Sequence, residues 1–308
     1  PLRRQRQMCI RDSSSSFARQ KQSANKLAPI AHIPIDQLNG KEIQMLYNSY
    51  DGILSTSSIS KIHKLLFAAY KKAVALRMVQ YNPMQAVEPV KVKYKEMSVF
   101  SFNELIRIFR VLRTNKYYKK YYTLFYLLLV LGCRIGELLA IKWEDIDFST
   151  AQLHVRRTIN RLAKYEAHDG ENKTEIVFGT PKTKNSRRTI PLTRTMADEL
   201  ARWKQQQAQD KIRAGDKYTD DGFIVTNEFG HYFEQKTFKD YYDRLLKDAD
   251  IGHFTFHALR HTFATRALER GMDYETLSAI LGHYSVAFTM DTYVHSMDEH
   301  KPVSYTHL

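Results

Sequence analysis

The chain has 308 residues, enough for two domains that each bury their own core, and its 43% apolar and 26% charged content is that of a soluble globular protein. Lys and Arg number 47 against 33 Asp and Glu, a formal charge of +14 that points to a polyanionic partner, most commonly nucleic acid. The longest apolar run, Tyr121 to Gly132, is shorter than the roughly 20 residues a bilayer requires, and two cysteines, Cys9 and Cys133, support neither a disulfide framework nor a zinc knuckle, which fits a reducing cytoplasm.

The N-terminal stretch Gln7–Ser13, QMCIRDS, can be encoded by a string beginning CAG ATG TGT ATA AGA GAC AG. The reverse complement of the last nineteen of those bases, read as (C)CT GTC TCT TAT ACA CAT CT, encodes PVSYTHL, which is Pro302–Leu308. One DNA element translated from opposite strands, as in sequencing-adaptor read-through, accounts for both ends. Residues 1–13 and 302–308 are therefore expected to be non-native, with a natural N-terminal portion missing.

Residues 14–90 read as a helical domain. In STSSISKIHKLLFAAYKKAVALRMVQYNP, Ser and Thr supply N-caps and Pro83 supplies the stop. Ile62, Leu65, Leu66 and Ala69 form the apolar stripe, while Lys61, Lys64, Lys71 and Lys72 gather on a neighbouring face. That face is either simply solvated or a candidate for phosphate-backbone contact.

Helical periodicity lapses in VEPVKVKYKEMSVFS, which places a linker at 91–98 and a second domain at 99–301. Ser101 and Glu104 stand at capping-box spacing, and an amphipathic helix then leads to the buried helix that ends at Gly132. QLHVRRTI and EIVFGTPKTKNSRRTIPL read as strands of a small antiparallel sheet with a long polar loop between them, and helices return after Thr193. The fold class is thus mainly α with a small antiparallel β-sheet (α+β).

His257 and His261 have the i, i+4 spacing of a zinc pair, but Ala258 stands where a metalloprotease helix carries its general-base Glu. No phosphate-binding P-loop occurs either. Phosphate held without metal fits better. His257 and Arg260 project from one helix face, and Arg134 stands at the break GCRIGEL, where Glu137 can orient its guanidinium. Tyr293 lies in SVAFTMDTYVH, a short helix capped by Ser285 or Thr289. A tyrosine with its ordinary pKa near 10 is a poor nucleophile at neutral pH, and two guanidiniums are expected to favour its phenoxide.

GCRIGELLAIKWEDID, TPKTKNSRRTIPL, HALRHTFAT, AILGH and MDTYVH resemble, in order and spacing, the tyrosine recombinases. More narrowly they are similar to the integrases of temperate phages and integrative conjugative elements, over roughly Ile35 to Lys301. The resemblance implies a helical core-DNA-binding domain followed by a catalytic domain, with no metal or other cofactor. It implies that Arg134 and Arg260 clamp a DNA phosphate and that Tyr293 attacks it, forming a 3′-phosphotyrosyl bond and releasing a 5′-hydroxyl. His257 would assist proton transfer, His283 would hydrogen-bond the phosphate, and Glu137 would support Arg134.

The leaving oxygen would be protonated by a strand-turn lysine, Lys182 by best fit to the pattern, with Lys184 as the alternative. Lys184, Arg187 and Arg188 would then meet the DNA backbone. The partners implied are double-stranded attachment sites, a homotetramer assembled on DNA from free monomers, and an excisionase with DNA-bending proteins. The site of action implied is the bacterial cytoplasm and nucleoid, with no membrane. Integrases of this kind usually begin with a small arm-site-binding domain, whose absence here accords with truncation. A type IB topoisomerase and a non-catalytic DNA-binding regulator are the competing readings. Resequencing the source DNA across both chain ends is expected to return the two complementary strings, and a continuous gene with other codons would contradict that origin.

Overall fold

The computed structural model describes residues 14–92, 97–164, 172, 174–180 and 186–298. The segments 1–13 and 302–308, together with Lys182 and Lys184, lie outside the described residues. The chain divides into two compact units, residues 1–96 with 162–175, and residues 97–161 with 176–308.

The N-terminal unit is built from helices α1 (Ser14–Asn25), α2 (Gly40–Ser49) and α3 (Thr56–Ala75), with a 3-10 turn at Pro83–Ala86. Asn39 and Glu42 form a reciprocal capping box that starts α2, and the Ser55 hydroxyl caps α3 by accepting from Ser58 N. Ile43 and Tyr47 of α2 pack with Ile59, Ile62, Leu66 and Tyr70 of α3, and Met84 and Val87 close the core. The stripe on α3 is therefore rotated from the expected one: Leu65 is half-buried, Ala69 is exposed, and Tyr70 and Ala73 are buried instead. Lys61, Lys64, Lys71 and Lys72 are exposed on α3.

In the C-terminal unit, α4 (Phe102–Thr114) begins at the Ser101–Glu104 capping box that its sequence predicts. A single turn, α5 (Lys116–Lys119), leads to α6 (Tyr122–Val130), where Thr123, Leu124, Phe125, Leu127 and Leu128 are all buried. A helix apolar on every side belongs in a core, and α6 packs against both α8 (Arg194–Ala214) and α10 (Phe256–Glu269). The short α7 (Ile135–Leu138) follows α6, and α9 (Gln235–Asp248) contributes Phe238, Tyr242, Leu245 and Leu246 to the same core. The last helices are α11 (Tyr274–Leu281) and α12 (Val286–Asp298). No described helix is long and apolar enough to cross a membrane.

The β structure is split in two, where the sequence suggests one sheet. Strands β1 (Ile146–Asp147), β2 (Gln152–Val155) and β5 (Arg188–Pro191) form an antiparallel sheet of order β1-β2-β5, with Leu153 opposite Ile190. Strands β3 (Thr158–Ala163) and β4 (Thr174–Gly179) form a separate ribbon. The stretch QLHVRRTI breaks at Arg156–Arg157 because Arg157 turns to the buried Asp145, donating from Nη1 at 2.8 Å, and also pairs with Glu144. Three charge-assisted bonds hold that kink, two to Asp145 and one to Glu144, and the strand resumes beyond it as β3.

Between α6 and α7 the chain turns at Gly132, whose φ is +58°. A Cβ there would lie 2.6 Å from a ring carbon of Phe263 on α10, so both the backbone conformation and the close approach require glycine. Gly132→Ala is expected to lower unfolding stability by about 1–3 kcal/mol, measured by urea denaturation. An unchanged midpoint would contradict this packing.

Candidate active site

Helix α10 carries His257, Arg260 and His261. Arg260 is only 4% exposed, and its guanidinium is fixed by two backbone carbonyls, Nη1 donating to Gly132 O and Nη2 to Leu281 O, each at 2.8 Å. One side chain thus ties the turn after α6 to the end of α11. Both carbonyls are exposed by helix termination: the chain leaves α6 through Gly132, and α11 ends at Gly282 in the left-handed conformation. An arginine has five N–H donors, so two structural bonds leave others for an anion.

Arg134 caps α7 and faces outward, its side chain 38% exposed. Its Nη1 donates to Glu137 Oε1 at 2.7 Å, as expected from their spacing. The other carboxylate oxygen of Glu137 accepts from Arg188 Nη2 at 2.9 Å, so Glu137 bridges two guanidiniums. Burial alone would raise the Glu137 pKa, but the Arg188 and Arg134 charges and hydrogen bonds outweigh it and hold the carboxyl below its ordinary range.

Arg188 lies inside this network. Its side chain is 5% exposed, and its guanidinium donates to Glu137, to Ser186 O at 3.2 Å and to Ile280 O. From there it ties β5 and the end of α11 to Glu137. Arg187, its neighbour, is exposed. Cys133 is buried at 3.7 Å from Arg188 Nη2, and burial pushes its thiol up to about 11, so it stays protonated and unreactive at neutral pH.

Tyr293, on α12, is fully buried among Ala264, Leu268, Leu277 and Leu281. The Ser285 hydroxyl caps α12 by accepting from Phe288 N at 3.2 Å, while Thr289 lies inside the helix. The Tyr293 hydroxyl lies 3.1 Å from His261 Nδ1. Four residues earlier on α12, the Thr289 hydroxyl lies 2.8 Å from His283 Nδ1, and the His283 ring runs nearly parallel to that of Tyr293 at 14°. His283 itself is buried just after Gly282.

The charge balance here differs from expectation. The Arg260 and Arg134 guanidiniums do lower the Tyr293 pKa, but burial is larger and leaves it raised to about 12, a neutral phenol. Burial, with His257 and Arg260 beside it, brings His261 down to about 4, and burial with Arg260, Arg134 and Arg188 brings His283 down to about 3. Both rings are neutral at pH 7. His257 is exposed, yet the protein around it and the Arg260 and Arg134 charges lower it too. Burial raises the phenol and lowers the imidazole, so the shared proton rests on the Tyr293 oxygen.

Arg134, Glu137, Arg260, His261, His283 and Tyr293 are thus linked through α7, α10, α11 and α12, with His257 one turn before His261 on α10 at a ring separation of 6.1 Å. Of the i, i+4 histidine pair, His261 meets the Tyr293 hydroxyl. Among the described residues no cluster of three His, Cys, Asp or Glu could hold a metal ion.

The profile of the phage integrase family matches residues 98–300. A XerC-like tyrosine recombinase of Caldanaerobacter subterraneus is 31% identical over 270 residues, 84% of this chain and 68% of that protein. The ICEBs1 integrase of Bacillus subtilis is 29% identical over 247 residues, covering 79% of this chain and 62% of the relative. The Tn916 transposase of Enterococcus faecalis is 30% identical over 196 residues, 44% of its own length. The chain therefore spans between about half and two thirds of these relatives.

Among solved structures, the Tn1549 transposon integrase in complex with transposon right-end DNA superposes with a TM-score of 0.74 at 20% identity, over 95% of this chain and 96% of that one. A λ integrase dimer bound to a core site gives 0.64 at 18%, over 88% and 86%. The chain belongs to the phage integrase family, whose members are tyrosine recombinases. Its fold is that of the DNA-bound integrases just named.

Glu137→Gln keeps the volume but leaves two guanidiniums, one of them buried, without their counter-charge; a loss of about 3–5 kcal/mol is expected at pH 7. Because the folded-state pKa of Glu137 is depressed, its contribution is complete above the unfolded carboxylate value, about 4.3. It disappears as pH falls through the lower folded value. Wild type and variant should therefore converge in acid, and equal stability at pH 7 would contradict the bridge.

Proposed function

We propose that this chain is a site-specific DNA recombinase that cuts and rejoins strands through a 3′-phosphotyrosyl intermediate, integrating and excising a mobile element. The observation that carries this reading is the meeting of Tyr293 with a site containing Arg260, Arg134 and two neutral histidines, on helices held together by Arg260. Arg134 and Arg188 share the Glu137 carboxylate while Arg260 is held by backbone carbonyls, so the site is short of negative charge until an anion enters. A phosphodiester supplies it.

In this reading the phosphate lies on Arg134 and Arg260, with His257 and His283 beside its oxygens. Tyr293 displaces the 5′-oxygen, and Lys182 or Lys184 protonates that leaving group. Because the phosphodiester energy is kept in the phosphotyrosyl bond, a second strand's 5′-hydroxyl can reseal it without a nucleotide cofactor. We propose residues 14–90 as the core-DNA-binding half, with Lys61, Lys64, Lys71 and Lys72 on the backbone, 91–98 as a linker, and 99–301 as the catalytic half with Arg187 near DNA. A homotetramer on two duplexes formed from free monomers, helped by an excisionase and DNA-bending proteins in the bacterial nucleoid, completes the proposal.

A nicked duplex library with a randomised core traps covalent intermediates because the short cleaved strand diffuses away. Wild type is expected to form an adduct that survives denaturant, with a chelator present, and Tyr293→Phe is expected to form none. No wild-type adduct from any duplex, or an adduct that survives Tyr293→Phe, would overturn the proposal.

A further inference from the structure

We propose that His261 is a positioning residue for the nucleophile: its Nδ1 accepts the Tyr293 hydroxyl hydrogen and fixes that oxygen to the helix that carries the phosphate-binding groups. The inference rests on the recombinase reading and adds to it a residue with no other part in the site.

The geometry supports it in three ways. First, the hydroxyl lies 3.1 Å from His261 Nδ1, and the two rings meet edge-on at 62° with centroids 5.7 Å apart. Second, His261 follows Arg260 directly and stands one helical turn after His257, so the anchor of the nucleophile moves rigidly with both. Third, α12 is gripped twice on one face. Thr289 and Tyr293, four residues apart, meet His283 and His261 respectively, so rotating α12 breaks both contacts together. A neutral imidazole suits an acceptor, and burial keeps His261 neutral at pH 7. With Nδ1 accepting, the ring proton resides on Nε2 and the phenol remains the donor. Its lone pairs are then directed by the bond rather than left to rotate about the C–O axis.

The decisive comparison is adduct formation on a duplex recovered with wild-type protein, using His261→Leu and His261→Asn. Asparagine places its Oδ1 close to the position of Nδ1 and can accept the same hydrogen, whereas leucine keeps bulk and removes the acceptor. His261→Leu is expected to form adduct about 10- to 100-fold more slowly with unchanged duplex affinity, and His261→Asn to recover part of the loss. Thermal melting of both variants identifies any loss that is merely structural. If His261→Leu matches wild type, exceeds it because the bond holds the nucleophile back, or loses duplex affinity in proportion, the inference is overturned. Failure of the asparagine variant to recover any rate while remaining folded overturns it as well. No adduct from wild type overturns the recombinase reading and takes this inference with it, so the two failures are distinguishable.

Discussion

The site depends on one buried cation. Arg260 is held between the carbonyls of Gly132 and Leu281, at the ends of two helices. Desolvation and the neighbouring Arg134 and Arg188 charges lower its pKa to about 10, which still leaves it charged at neutral pH. A buried cation satisfied by carbonyl dipoles, rather than by a carboxylate, keeps its charge uncancelled and available to an anion. The negative ends of α6 and α11 do here what an aspartate would do elsewhere, without neutralising the site.

From that cation the remaining electrostatics follow. Glu137 accepts from Arg134 and Arg188, so the carboxylate orients two arginines and stays clear of Arg260 in the hydrogen-bond pattern. The surrounding positive charge and the burial together strip His261 and His283 of their protons, leaving them as neutral partners. On Tyr293 the two influences oppose each other, and burial prevails. The Tyr293 side chain therefore rests as a phenol.

Much of this was legible in the sequence where a local rule sufficed. The Ser101–Glu104 box and the all-apolar α6 depend on spacing within short stretches, whereas the set of Arg134, His257, Arg260, His283 and Tyr293 came from the resemblance of separate motifs to the tyrosine recombinases. The partners of Arg188, Glu137 and Ile280, were not legible because they are remote in sequence. One signal existed: adjacent residues entering a strand point to opposite faces, so Arg187 and Arg188 were bound to have different surroundings. The division of the sheet turned on Asp145, whose attraction for Arg157 no periodicity discloses. His261 was visible as the i+4 neighbour of His257, but its meaning required the position of α12.

The central claim is that these side chains converge to place Tyr293, among nineteen tyrosines, on a DNA phosphate. Peptide mapping by mass spectrometry of the denatured protein–DNA adduct after nuclease trimming tests it most directly. The account predicts a nucleotide remnant on the peptide containing Tyr293, joined through the 3′-phosphate, with a free 5′-hydroxyl on the released strand. A remnant on any other residue, or linkage through a 5′-phosphate, would contradict it.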